Sequence, residues 1–68
     1  MIIHVNGESR GIGDGETVAA LLHELEIRAD RVAVELNLER LDRKDFETRG
    51  LREGDRVEIL SFIGGGAR

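Results

Sequence analysis

One stretch of this 68-residue chain carries a helical apolar period. Val18, Leu21, Leu22 and Leu25 stand at i, i+3, i+4 and i+7, one stripe of an amphipathic helix. Thr17 directly precedes them and suits the N-cap, where its hydroxyl accepts a backbone N–H that the first turn leaves unpaired. Ala19, Ala20 and His23 flank the stripe, Glu24 and Glu26 take other faces, and the helix is expected to end within residues 27–29. A single helix cannot bury such a stripe against itself. It needs a sheet, and the rest of the chain reads as strands.

Ile2-Ile3-His4-Val5 is a short β-branched run that stops at Asn6-Gly7. That pair favours a two-residue hairpin turn, because both central positions require positive φ. Residues 8–12 form the return strand. Residues 31–38 alternate, with Val32, Val34, Leu36 and Leu38 on the buried face and Arg31, Ala33, Glu35 and Asn37 on the open one. Residues 39–45 read as a turn and a short strand. Phe46 and Leu51 plug the core from the polar stretch that follows, and Glu53-Gly54-Asp55 marks a turn. Residues 56–63 are the last strand, with Val57, Ile59 and Ser61 on one face and Glu58, Leu60 and Phe62 on the other. Strands at both ends and one helix between them predict an α+β two-layer sandwich, with a mixed sheet of four to five strands packed on the helix. The helix stripe should meet Ile3, Val5, Val32, Val34 and Leu36.

Composition removes several functions. The chain has no cysteine, so it has no disulfide, no thiolate ligand for zinc and no thiol nucleophile. Its formal charge is −4, with both signs mixed along the chain. Two phenylalanines are its whole aromatic content. A nucleic-acid binder needs a basic stripe and stacking aromatics, which are lacking here. No apolar run approaches the length of a membrane span, and Met1-Ile2-Ile3 reaches His4 with no basic segment before it, so no signal peptide is expected. The expectation is a soluble cytoplasmic domain, monomeric when free.

Gly11, Gly13 and Gly15 hint at a phosphate cradle, but Glu16 stands where a dinucleotide fingerprint needs its last glycine, and no Gly-Lys-Ser/Thr ending follows. A flexible turn from strand to helix is the expected reading. His4 and His23 have no partner within local reach, so neither is expected to be a catalytic base.

Attention then falls on the end of the chain, where Ser61-Phe62-Ile63 runs into Gly64-Gly65-Gly66, followed by Ala67-Arg68. Glycine loses the most conformational freedom on ordering, so three in a row make a poor end to a purely structural element. They suit a tail that threads as bare backbone into a narrow slot. A frayed terminus or a remnant left by cloning is the alternative. The organisation expected is a domain over residues 1–63 and a flexible tail over 64–68. If Val57 and Ile59 point inward, Leu60 and Phe62, with Ile63, form an exposed apolar patch for partner docking beside the tail; the reverse assignment makes them core.

The opening Met1-Ile2-Ile3-His4-Val5-Asn6-Gly7, the helix start Thr17-Val18-Ala19-Ala20-Leu21-Leu22, the strand Val32-Ala33-Val34-Glu35-Leu36-Asn37, and Gly54-Asp55-Arg56-Val57-Glu58-Ile59 leading to Phe62-Ile63-Gly64-Gly65-Gly66 together resemble the ubiquitin-like β-grasp proteins. The nearer likeness is to the bacterial thiamine-biosynthesis sulfur carriers, the ThiS type. Two departures stand out. Leu41-Asp42-Arg43 replaces a frequent apolar-Pro-Arg triplet, and Ala67-Arg68 follows the glycines at which the family ends. The resemblance implies a β-grasp fold and a carrier that is not itself an enzyme and binds no cofactor or metal. An E1-like (ThiF-type) adenylating enzyme would use ATP to activate the carboxylate of Gly66, with Gly65 and Gly64 as the tether. A sulfur donor such as a cysteine desulfurase would supply a persulfide. The resulting thiocarboxylate would pass its sulfur to a thiazole synthase (ThiG-type). A peptidase would first have to remove Ala67-Arg68, unless the two residues are a cloning remnant. Carriers for molybdopterin or for cysteine and other thio-metabolites share this chemistry. A non-covalent ubiquitin-like binding module, for which deletion of residues 65–68 is harmless, is the rival from another class. A free-standing enzyme finds no supporting constellation.

Overall fold

The structure, a computed structural model, describes residues 1–62. The chain folds in the order β1 (Ile2–Val5), β2 (Glu8–Gly11), α1 (Val18–Glu24), β3 (Val32–Leu36), β4 (Glu39–Leu41) and β5 (Arg56–Ser61). Short 3-10 turns precede β3 at Ala29–Arg31 and follow β4 at Arg43–Asp45. The strands make one sheet in the order β2-β1-β5-β3-β4. β1 and β5 run parallel at its centre, and the other pairs are antiparallel. α1 packs on one face. This is the expected α+β arrangement, a β-grasp.

The first hairpin forms as its turn chemistry dictates. Asn6 has φ +49° and Gly7 φ +86°, both left-handed, and β1 pairs with β2 from Val5↔Glu8 out to Ile2↔Gly11. Ile12 lies just past the strand and is buried, its N–H donating to the Met1 carbonyl at 2.9 Å. Thr17 is the N-cap of α1, its hydroxyl accepting the Ala20 N–H at 3.1 Å. The other free donors of the first turn go to residues far along the chain. Val18 N–H donates to the Arg49 carbonyl at 3.1 Å and Ala19 N–H to the Phe46 carbonyl at 2.8 Å. The Leu51 N–H returns a bond to the Glu16 carbonyl at 2.8 Å. The segment around Phe46 to Leu51 therefore closes the start of the helix, which a helix end needs when it is packed against protein.

The helix is shorter than its periodicity suggests. It ends at Glu24, with Leu25 as C-cap and Glu26 at φ +60°. Glu26 N–H donates to the His23 carbonyl and Ile27 N–H to the Leu22 carbonyl, the two bonds of a Schellman stop. Leu25 consequently sits half-buried at the edge of the core rather than within it, and Ile27 packs beside it.

Ile3, Val18, Leu21, Leu22, Val32, Val34, Leu36 and Val57 form the core, and Phe46 and Leu51 close it as expected. Two residues of the expected strand over 31–38 depart from the alternation. Leu38 is not buried. The strand stops at Leu36, the chain reverses at Asn37 (φ +53°) and Leu38 (φ +74°), and Leu38 stands 76% exposed at the tip. Ala33, on the face turned away from α1, is buried: Leu60 of β5 lies directly across from it, and Asp42, Arg43 and Phe62 line the same depression. Among the described residues no helix is long and apolar enough to cross a membrane.

Candidate functional site

β5 is the element that delivers the chain to residues 63–68. It lies in the middle of the sheet, parallel to β1 through His4↔Arg56 and Val5↔Val57 and antiparallel to β3 from Leu36↔Val57 to Val32↔Ser61. β3 holds it along its length and β1 at its start, and alternation decides its faces. Val57 is fully buried beneath α1 and Ile59 half-buried on the same side. Leu60 and Phe62 point the other way and are 48% and 57% exposed. The assignment with Val57 and Ile59 inward is therefore the observed one.

Leu60 lies directly across from Ala33, and Glu58 directly across from Glu35. Phe62, one residue past β5, donates its N–H to the Arg31 carbonyl at 3.0 Å, which extends the pairing with the segment before β3. Phe62 also borders a depression of ≈ 150 Å³ that Ala33, Leu41, Asp42 and Arg43 line. The outer face around the end of β5 thus offers an apolar centre with charged residues beside it. Ile63 of the expected docking patch, Gly64, Gly65 and Gly66 of the expected tether, and Ala67 and Arg68 lie outside the described residues.

The other sequence candidates lie elsewhere. His4 is half-buried on β1, and His23 is exposed on α1. Among the described residues no three His, Asp or Glu side chains are placed to hold a metal ion. The glycine-rich turn before α1 folds as a turn. The Gly13 N–H, the kind of donor a phosphate would use, faces the Glu16 carboxylate at 3.3 Å. Asp30 lies beside Arg28 in the turn before β3. Hydrogen bonds from Arg28, at 3.2 Å and 2.9 Å, hold its carboxyl below the usual carboxylate range. Both residues are exposed, and such a pair adds little stability.

Sequence reasoning missed how β5 is fastened. Asn6 reads as a turn residue, yet its side chain reaches 53 positions along the chain, where Oδ1 accepts the Ile59 N–H at 2.8 Å. Asn-Gly is a local signal, and nothing local announces the second role.

The geometry agrees with comparisons to known proteins. The model of the ThiS family matches residues 3–66. The chain belongs to the ThiS family. Its ThiS-family relatives include the sulfur carrier protein ThiS of Thermus thermophilus, 35% identical over 65 residues, a match that covers 96% of this chain and 100% of that one. A crystal structure of the thiamine biosynthesis protein ThiS from Geobacter metallireducens superposes with a TM-score of 0.83 at 39% identity, over 97% of this chain and 100% of that one. A thiazole synthase of Paramagnetospirillum magneticum is 42% identical over 67 residues, which is 98% of this chain. This ThiS-family chain spans 21% of the length of that thiazole synthase, about a fifth.

Proposed function

We propose that this chain is a sulfur carrier of thiamine biosynthesis, a domain over residues 1–63 whose tail carries sulfur as a thiocarboxylate on Gly66. What carries the reading is the family match, which runs on through residue 66 and so takes in all three glycines. The relatives support the destination. One is a sulfur carrier by name, and others are thiazole synthases that contain a homologous stretch.

The chemistry follows from an unreactive acid. A carboxylate oxygen is a poor leaving group, so a partner must activate it. An E1-like adenylating enzyme lets a Gly66 carboxylate oxygen attack the α-phosphate of ATP, which releases pyrophosphate and leaves an acyl-adenylate. The terminal sulfur of a donor persulfide then attacks the acyl carbon, the bond to the AMP oxygen breaks, and an acyl disulfide forms. A thiol of the partner reduces that disulfide, keeping the second sulfur in its own disulfide and leaving the thiocarboxylate on the carrier. Thiazole synthase receives the sulfur. The carrier contributes an uncrowded acyl carbon, because glycine has no Cβ to block attack or jam a narrow channel. It also contributes the apolar face of Leu60 and Phe62, which with Ile63 docks the partner.

Intact mass tests this. A chain ending at Gly66, incubated with a purified adenylating enzyme, ATP and a persulfide donor, should gain about 16 Da, the replacement of one oxygen by sulfur on an activated acyl group. No gain, and no pyrophosphate released, would refute the carrier reading.

A further inference from the structure

Glu58 on β5 and Glu35 on β3 stand directly across from each other. They share the outer face of the sheet with Leu60 and Ala33, the next cross-strand pair toward the end of β5. Side chains so placed have Cβ atoms about 4.5–5.5 Å apart, and two like charges there destabilise a sheet. Both glutamates are half-buried, so salt and water screen them less than they screen fully exposed acids.

Cations stand near the pair without engaging it. Arg40 lies opposite Glu35 on β4, and Arg56 precedes Glu58 by two positions on β5, across from His4. The ion pairs among the described residues are Arg10–Glu24, Arg28–Asp30 and Lys44–Asp45, none of which includes either glutamate. On the β1 side, pairing with β5 ends at Val5↔Val57 and the chain reverses at Asn6-Gly7. The Asn6 side chain there accepts the Ile59 N–H, so no cation of β1 meets Glu58. Two carboxylates that lower the stability of the free domain thus adjoin the exposed apolar side chains Leu60 and Phe62. Such a face is complementary to a positive charge brought from outside.

We propose that Glu35 and Glu58 are docking and specificity residues: a cationic side chain of the adenylating partner sits over the two carboxylates while its apolar surface covers Leu60 and Phe62. The proposal rests on the carrier reading above and names the chemistry of the surface the carrier fits. Apolar contact supplies area, and charge supplies selection, since a partner lacking the cation would have to bury two like charges unpaired. The pair favours the complex twice, by attraction to the cation and by relief of the repulsion present in the free domain.

Glu58→Gln, Glu35→Gln and the double variant test this. Glu39→Gln is the control, an exposed acid across from Leu36 and so on the α1 side of the sheet. Urea unfolding is read on the 68-residue chain and on a chain ending at Gly66. Binding of the shorter chain to a purified E1-like adenylating enzyme is read by calorimetric titration. Each single variant should raise the urea midpoint with an unchanged slope, and the double variant should rise no further, because either change alone ends the repulsion. Each should bind about tenfold more weakly than wild type at low salt, and the difference should close near 1 M NaCl, where the screening length is about 3 Å. Glu39→Gln should bind as wild type does. Unchanged affinity in Glu35→Gln and Glu58→Gln, or a loss matched by Glu39→Gln, would overturn the assignment. So would a midpoint that does not rise in the single variants, or gains that add in the double. A gain confined to the chain ending at Gly66 would give the cation's place to this chain's own Arg68 and overturn the partner's. A wild-type chain ending at Gly66 that shows neither binding nor ATP–pyrophosphate exchange with that enzyme would overturn the carrier reading itself, and with it this extension.

Discussion

Asn37 donates its side-chain amide to the Asp55 carboxylate at 3.0 Å, and so ties the β3–β4 turn to the turn that launches β5. The two residues share their remaining groups with the backbone. Asn37 Oδ1 accepts the Arg56 N–H at 2.9 Å, and Asp55 Oδ2 accepts the Arg52 N–H at 2.8 Å. Asn37 thus does at one end of β5 what Asn6 does near the other. Asn37→Gly keeps the left-handed turn and removes both side-chain bonds. It should lower stability by about 0.5–1.5 kcal/mol per bond lost, read as a lower urea midpoint with an unchanged slope. An unchanged midpoint would show that water replaces these bonds at no cost.

Leu38 is under strain with little return from burial. It combines φ +74° with 76% exposure, and a left-handed conformation costs an L-residue roughly 1–2 kcal/mol. Glycine removes that cost but gains freedom in the unfolded chain worth roughly 0.5–1 kcal/mol. Leu38→Gly should therefore melt at or slightly above wild type, by calorimetry. A clearly lower melting temperature would mean that Leu38 makes contacts of real weight.

Leu22 and Phe62 should behave as opposites. Leu22 is fully buried between α1 and the sheet. Leu22→Ala should cost about 2–5 kcal/mol, a large share of the stability of so small a domain. Melting within a degree or two of wild type would contradict its place in the core.

Phe62 has more than half its surface in water. Phe62→Ala should cost far less than the ~3–5 kcal/mol of a buried Phe and should weaken binding to the adenylating partner, measured by calorimetric titration. Full affinity in the variant would remove Phe62 from the docking surface.

The last test concerns Ala67 and Arg68. In the 68-residue chain the free carboxylate lies two residues past Gly66. Two extra residues displace it by roughly 6.6–7.2 Å along an extended chain, whereas reacting atoms must approach to about 3–3.5 Å. The 68-residue chain should resist thiocarboxylation by a peptidase-free adenylating enzyme, and the chain ending at Gly66 should accept it. Equal rates, with Ala67 and Arg68 still present by mass, would show that Gly66 is not the working terminus.

Local patterns were enough for the elements and for their class. Asn6-Gly7 calls for a hairpin because both positions need positive φ, and that demand is met by composition alone. The i, i+3, i+4, i+7 stripe places one helix face, and alternation puts Val57 inside and Leu60 and Phe62 outside. These signals depend on residues close in sequence. The tertiary structure decided what depends on neighbours far along the chain. Alternation predicts a buried Leu38 and an open Ala33. The turn at Asn37 ends the strand before Leu38, and Ala33 is buried beside Leu60, its partner across on β5. The helix period runs through Leu25, but a Schellman stop ends the helix at Glu24. The bonds that fasten β5 join Asn6 to Ile59 and Asn37 to Asp55, across 53 and 18 positions. A side-chain amide carries no sign in the sequence of which distant backbone group it will meet. Only the packed sheet, with β5 inserted between β1 and β3, brings those groups within hydrogen-bond reach.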